Sequence, residues 1–382
     1  MRNFTRLFSI VLISLLISQT ANSQERQRAR DLGINPGILT PGPLNAITDV
    51  EGVMVGHRTI IEDDNIRTGV TMVLPHDGDL FTSRVPAAGY VGNGFGKALG
   101  FTQVEELGEL ETPIGLTNTL SIHTVANGIT DYMLQQPGNE NVRSVNPVVG
   151  ETNDGWLNDI RGRNINNQHV FDAIEDAKGG PVEEGSVGAG TGTSALGYKG
   201  GMGTSSRTLP EKFGGYTVGV LVQSNFGGVL TIDGAPVGEE LENHYMASDV
   251  PYDVDGSVMI IVATDAPLLS RNLKRLAKRA LLGISRVGGS ASNGSGDYVI
   301  AFSTSEDVRV NTGTSGSTQN YTELNNSATT PLFLAAVEAT EEAILNSLFM
   351  ATTVTGDRGH TQKALPVEDV LQIMKKYKLL QN

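Results

Sequence analysis

The chain of 382 residues contains no cysteine. Disulfides, thiol nucleophiles and thiolate metal sites are therefore excluded. Tryptophan occurs once and aromatic residues make up 5%. No basic stretch is interleaved with aromatics in the way that single-stranded nucleic acid requires. Positive charge is scarce: 28 Lys and Arg stand against 42 Asp and Glu, a formal net charge of −14. Such a protein repels nucleic acid and anionic membrane surfaces. Histidine is sparse as well, and His57, His76, His123, His169, His244 and His360 show no His-Glu-x-x-His spacing. The glycine runs at 92–98 and 188–193 match neither phosphate-binding pattern, and Gly203-Thr204-Ser205-Ser206-Arg207 lacks the second glycine of a nucleophile elbow. No cofactor and no metal is expected.

What the chain has is a leader and an abundance of glycine. Arg2 and Arg6 precede an apolar stretch from Leu7 to Ile17, and Ala21-Asn22-Ser23 places small residues where a signal peptidase cuts. The sequence therefore predicts an export signal over 1–23, a periplasmic or secreted mature protein, and no membrane association once the signal is removed. Residues 24–45 read as a mobile leading segment. The 46 glycines punctuate short strand-like runs rather than forming a low-complexity tract. Strands are expected at Val53–Val55, Thr68–Leu74, Val148–Val149 and Tyr216–Gln223, and helical spacing at Ser121–Leu134 and Asn167–Ala177. This order indicates a layered α/β class.

The C-terminal third is more explicit. Val258–Ala263 is a continuous apolar run, as in a strand buried on both faces. Thr264-Asp265 offers a helix N-cap with Pro267 behind it, and Gly288-Gly289 a stop. Arg271, Lys274, Arg275, Lys278 and Arg279 form one solvated face of that helix. The loop Asn293-Gly294-Ser295-Gly296-Asp297 follows, then the apolar strand Tyr298–Phe302. Residues 305–330 read as a polar surface loop, and a second helix is expected over Leu332–Met350.

Asn293-Gly294-Ser295-Gly296 is compatible with an ordinary Asn-Gly turn. Its position before a buried strand adds a chemical reading. The Ser295 hydroxyl could attack the Gly294 carbonyl, and hydrolysis of the ester would leave Ser295 as a new N-terminus. Its α-amine, with a pKa near 8 when unperturbed, could then serve as base for its own hydroxyl. In the second helix, Glu341 falls within the stripe of Phe333, Leu334, Val337, Ile344 and Leu348, whereas Glu338 and Glu342 project toward solvent at 100° per residue. A buried carboxylate requires a partner, and a Ser295 ammonium would suit Glu341. Asn225, at the end of an apolar strand, could donate to an oxyanion or form a turn. Glu151, in Gly150-Glu151-Thr152-Asn153-Asp154-Gly155-Trp156, could hold a substrate ammonium or again belong to a turn, with Trp156 as a packing residue.

Taken in order, several segments resemble the family of L-aminopeptidase/D-amidase/D-esterases and β-peptidyl aminopeptidases. They are Asn45–Val53, Arg67–Thr71, Gly150–Gly155, Gly190–Thr193, Val222–Gly227, Ala263–Leu268, Asn293–Asp297 and Ala339–Ile344. The resemblance implies a four-layer α-β-β-α sandwich, self-cleaved at Gly294–Ser295 into a large chain (24–294) and a small chain (295–382), and a homotetramer. It implies Ser295 as nucleophile, Asn225 as oxyanion donor, Glu341 near the Ser295 amine and Glu151 as the anchor of the substrate's N-terminal ammonium. Asn153 stands at a position that varies with substrate preference, and Ala339 where some members carry serine. The expected activity is release of N-terminal residues from short peptides, amides or esters, with α- and β-amino acids both open. Two alternatives remain: an acetyl-transferase of the same fold, which would use threonine at the cleavage point, and a non-catalytic exported binding protein.

Overall fold

The computed structural model describes residues 26–247, 256–312 and 318–380. The expected signal, 1–23, lies outside the described residues. Elements are numbered in chain order. One sheet contains β1 (Met54–Glu62), β2 (Ile66–Leu74), β6 (Ile114–Asn118), β7 (Val148–Thr152) and β4 (Ala98–Leu99), in the order β1-β2-β6-β7-β4. The other runs β10-β11-β12-β13-β3, from β10 (Gly201–Thr208), β11 (Thr217–Asn225), β12 (Ser257–Thr264), β13 (Gly296–Ser303) and β3 (Ser83–Gly94). Short strands β5 (Glu109–Leu110) and β14 (Val310–Asn311) pair with β3, and β8 (Ser194–Ala195) with β9 (Tyr198–Lys199).

Three apolar layers separate four structural ones. Helices α2 (Ile122–Gln135) and α3 (Asn167–Glu175) close the outer face of the first sheet through Ile122, Ile129 and Val170 against Ile60, Val70 and Met72. The two sheets meet through Val73, Leu116 and Val148 on one side and Leu221, Ile261 and Ile300 on the other. Helices α5 (Ser270–Ala280), α6 (Leu282–Arg286), α7 (Thr330–Phe349) and α8 (Val367–Lys376) close the second sheet, with α1 (Phe101–Leu107) and α4 (Val237–Glu240) as short connections. This is the α-β-β-α sandwich that the sequence led us to expect. The unbroken apolar run of β12 follows from it: Val258, Ile260 and Val262 face the helices, while Met259, Ile261 and Ala263 face the other sheet.

Three local expectations need correction. Helix α5 begins at Ser270, not at Thr264-Asp265. Those side chains serve the sheet instead: Asp265 Oδ1 accepts the Thr217 N–H at 2.8 Å and Thr264 Oγ1 donates to the Thr217 carbonyl at 2.7 Å. The basic face is partly packed, since the guanidiniums of Arg275 and Arg279 lie over the Phe333 ring of α7. Finally, residues 26–45 are a fastened strap rather than a mobile leader. Ala29 and Ile34 are buried in the core, and Glu338 accepts the backbone N–H groups of Ile38 and Leu39 at 3.0 Å each.

The strap also explains why the helical angles of Glu338 and Glu342 misled. Helix α7 is covered on the side opposite its apolar stripe too. There Arg207, fully buried, meets Glu338 at 3.3 Å and Glu342 at 2.8 Å, and Arg30 of the strap meets Glu342 at 2.8 Å. Removing one partner from such a cluster strands the others without water, which costs about 3–5 kcal/mol. Arg207→Ala is therefore expected to lower the unfolding free energy by about that amount in urea titration. A loss below about 1 kcal/mol, the scale of an exposed ion pair, would show that water reaches this cluster.

Candidate active site

Strand β13 starts at Gly296, immediately after the Asn-Gly-Ser loop, and is held from both flanks. On the β12 side, the Gly296 N–H donates to the Gly256 carbonyl at 3.0 Å and to Ser257 Oγ at 3.2 Å. On the β3 side, the Ser295 carbonyl accepts from the Phe95 N–H at 3.2 Å and from Asn93 Nδ2. Asn93 Nδ2 also donates to the Ser292 carbonyl at 2.9 Å, and the Ser295 N–H donates to the same carbonyl at 3.0 Å. Ser295 is thus 1% exposed and fixed at its backbone on every side. Upstream, Ala291 has φ 50°, a left-handed conformation that its β-carbon disfavours.

The Ser295 hydroxyl donates to Asp297 Oδ1 at 2.6 Å. Sequence reasoning passed over Asp297. The available signal was an acidic side chain directly ahead of a wholly apolar strand, where burial costs most. Burial pushes the Asp297 carboxyl up to about 6, and the hydrogen bond from Ser295 opposes that shift. Its Oδ2 is buried with no hydrogen-bond partner among the described residues.

Two expected residues converge on this point. Glu151, 2% exposed at the end of β7 in the opposite sheet, accepts the Lys97 N–H at 3.0 Å through Oε1 and the Thr119 hydroxyl through Oε2, with the Lys97 ammonium at 3.7 Å. Gly96 separates it from β13. A β-carbon there would lie 3.2 Å from Glu151 Oε1, 3.1 Å from the Tyr298 ring and 3.4 Å from Gly296 Cα, a tight fit that would push these neighbours by a few tenths of an ångström. Burial raises the Tyr298 phenol, and the charges of Glu151 and Asp297 raise it further. Asn225 ends β11 opposite Ser257, which in turn pairs with Gly296, two strand spacings or roughly 10 Å away at the backbone. Its Oδ1 accepts the Ser194 N–H at 2.9 Å.

Three other expectations fare differently. Glu341 is buried, as its angle predicted, but its carboxylate pairs with Arg286 at 2.8 Å. Helix α6 approaches α7 so closely at Gly283 that a β-carbon would meet Thr340 Cβ at 2.6 Å, and this brings Arg286, on the same helix, to Glu341. The Ser295 nitrogen is the amide of the Gly294–Ser295 bond and donates to the Ser292 carbonyl, without the positive charge that would draw Glu341 to it. Asn153 is exposed and accepts the Gly155 N–H at 2.9 Å, closing a turn. Trp156 is 52% exposed and stacks on His360 at 3.7 Å rather than packing inside.

Residues 45–362 match the model of peptidase family S58. The chain belongs to peptidase family S58. It is similar to the β-peptidyl aminopeptidase BapA of Sphingosinicella microcystinivorans, at 42% identity over 98% of each chain, and to that of Sphingosinicella xenopeptidilytica, at 40% over 96% of this chain and 95% of the other. Among solved structures it resembles the L-aminopeptidase D-Ala-esterase/amidase of Ochrobactrum anthropi, described as a variant of the Ntn-hydrolase fold. The TM-score is 0.86 and the identity 37%, over 93% of this chain and 99% of that one. This S58 member is accordingly a hydrolase of the aminopeptidase kind with an Ntn-hydrolase-like fold. If Asn225 donates to a developing oxyanion, Asn225→Ala should lower kcat by about 10²–10³-fold, read with a peptide p-nitroanilide. An unchanged kcat would assign that asparagine to the turn alone.

Proposed function

We propose that this S58 member is an exported, self-processing serine aminopeptidase. It acts through an acyl-enzyme on Ser295 after the Gly294–Ser295 bond has been broken. The observation that carries this reading is the buried Ser295 hydroxyl, bonded to Asp297 Oδ1 at 2.6 Å and directly ahead of Gly296, which Gly96 separates from Glu151. An N-terminal ammonium placed against Glu151 would present the first peptide carbonyl toward Ser295, and Asn225 would stabilise the tetrahedral oxyanion. The free Ser295 amine would serve as base for the hydroxyl during turnover. Substrates are short peptides, amides or esters. The β-peptidyl aminopeptidases related to this chain support an N-terminal β-amino acid as one substrate class. The relatives named above include no transferase and no binding protein. The working form is a homotetramer of processed protomers, located in the periplasm or secreted.

Denaturing electrophoresis with N-terminal sequencing tests processing: the wild type should give two fragments, the smaller beginning Ser-Gly-Asp-Tyr, and Ser295→Ala should remain whole. A wild type that stays whole yet cleaves a peptide p-nitroanilide would sink the mechanism. Losing one charged hydrogen bond costs about 1.5–3 kcal/mol, so Glu151→Gln is expected to raise KM by roughly 10- to 100-fold, with a smaller change in kcat. A KM equal to that of wild type on amino-terminal substrates would remove Glu151 from recognition.

A further inference from the structure

The proposed chemistry supplies a base for turnover, the α-amine of Ser295, but that amine does not exist before the chain is cut. In the uncut chain the Ser295 nitrogen is an amide, and its hydrogen bond runs to the Ser292 carbonyl. The first bond cleavage therefore needs a different proton acceptor. We infer that Asp297 is the catalytic base of self-cleavage, a role separate from the turnover chemistry. This rests on the self-processing reading given above.

Three observations support it. The only hydrogen bond of the Ser295 hydroxyl among the described residues runs to Asp297 Oδ1, at 2.6 Å, and both residues are 1% exposed. The Asp297 Oδ2 is buried and makes no hydrogen bond among the described residues. An oxygen in that state is costly, and a structural carboxylate would offset that cost with a donor or a cation. The loop ahead of the bond is also constrained: Asn93 ties the Ser292 and Ser295 carbonyls together, and Ala291 is held left-handed. The nucleophile and its acceptor are thus in place before any chemistry. Burial, moreover, pushes the Asp297 carboxyl up to about 6, where it can both take and return a proton near neutrality.

The step balances as follows. The hydroxyl proton of Ser295 passes to Asp297 as Oγ bonds to the Gly294 carbonyl carbon. The Gly294–Ser295 C–N bond then breaks, and the nitrogen leaves as the Ser295 amine with the proton that Asp297 returns. Water hydrolyses the resulting ester, which frees the Gly294 carboxylate and restores the hydroxyl. The same event places an amine beside Asp297, and the carboxylate gains the partner that it lacks in the uncut chain.

The test is the rate at which full-length chain disappears after synthesis. Asp297→Asn keeps an oxygen that can accept from Ser295, so orientation survives while basicity does not. Cleavage is expected to slow at least a hundredfold, the lower range for loss of a general base, and Asp297→Glu should cleave faster than Asp297→Asn. The second arm uses Ser295→Cys, whose thiol loses its proton more easily; there Asp297→Asn should slow cleavage far less than in the serine background. Cleavage of Asp297→Asn within threefold of wild type would overturn the inference. So would equal slowing in the serine and cysteine backgrounds, which is what a merely structural defect produces. A wild type that never cleaves would instead defeat the self-processing reading itself, so the two failures are distinguishable.

Discussion

The site depends on one constraint: β13 lies near the centre of the second sheet, between β12 and β3, with both faces covered. A strand so placed cannot shift its register without moving Val299 and Ala301 out of the helix layer and Ile300 and Phe302 out of the inter-sheet core. Its first residues inherit that rigidity. Ser295 and Asp297 sit where the strand emerges, with acceptors for its backbone on the β12 side and donors on the β3 side. The geometry around Ser295 is therefore a by-product of core packing rather than of a loop that must find its conformation.

The opposite sheet contributes by the same logic. Glu151 stands at the end of β7, in parallel register with Thr117 of β6. Gln223 of β11 donates to the Thr117 carbonyl at 3.1 Å and to the Ala189 carbonyl at 2.9 Å. That side chain crosses the gap between the sheets and fixes their spacing near the site. Glu151 and the start of β13 are thereby held by two rigid layers, with Gly96 lying between Glu151 Oε1 and Gly296. The buried ion cluster of Arg207, Glu338, Glu342 and Arg30 fastens α7 and the strap on the far side of the second sheet.

Much of this was readable in advance, for physical reasons that differ by element. The apolar runs at 258–263 and 298–302 are unmistakable because burial on both faces removes every polar position. Glu341 could be recognised as buried from helix period alone. Its partner could not, because Arg286 comes from a different helix whose approach is set by Gly283. Glu338 and Glu342 were misassigned for a related reason: period reports one buried stripe, whereas the strap and Arg207 bury a second side of α7 and leave Leu334, in the expected stripe, exposed. Residues 26–45 looked loose since their anchors, Glu338 and Glu342, are some 300 residues away in sequence. Asp297 was overlooked because a carboxylate after a glycine reads as turn chemistry until its depth is known.

The central placement of β13 has a kinetic consequence. Both of its neighbours, β12 and β3, precede Ser295, whereas β13 and α7 follow it. A chain severed at that point keeps two molecules interleaved in one sheet, and neither has a complete core alone. Before the cut, folding is a search within one molecule. After it, recovery from denaturation becomes an encounter between two, with a rate that falls on dilution. A chain severed there would persist by the slowness of its unfolding and not by its capacity to re-form, so such a cut would have to be made in a protein already folded.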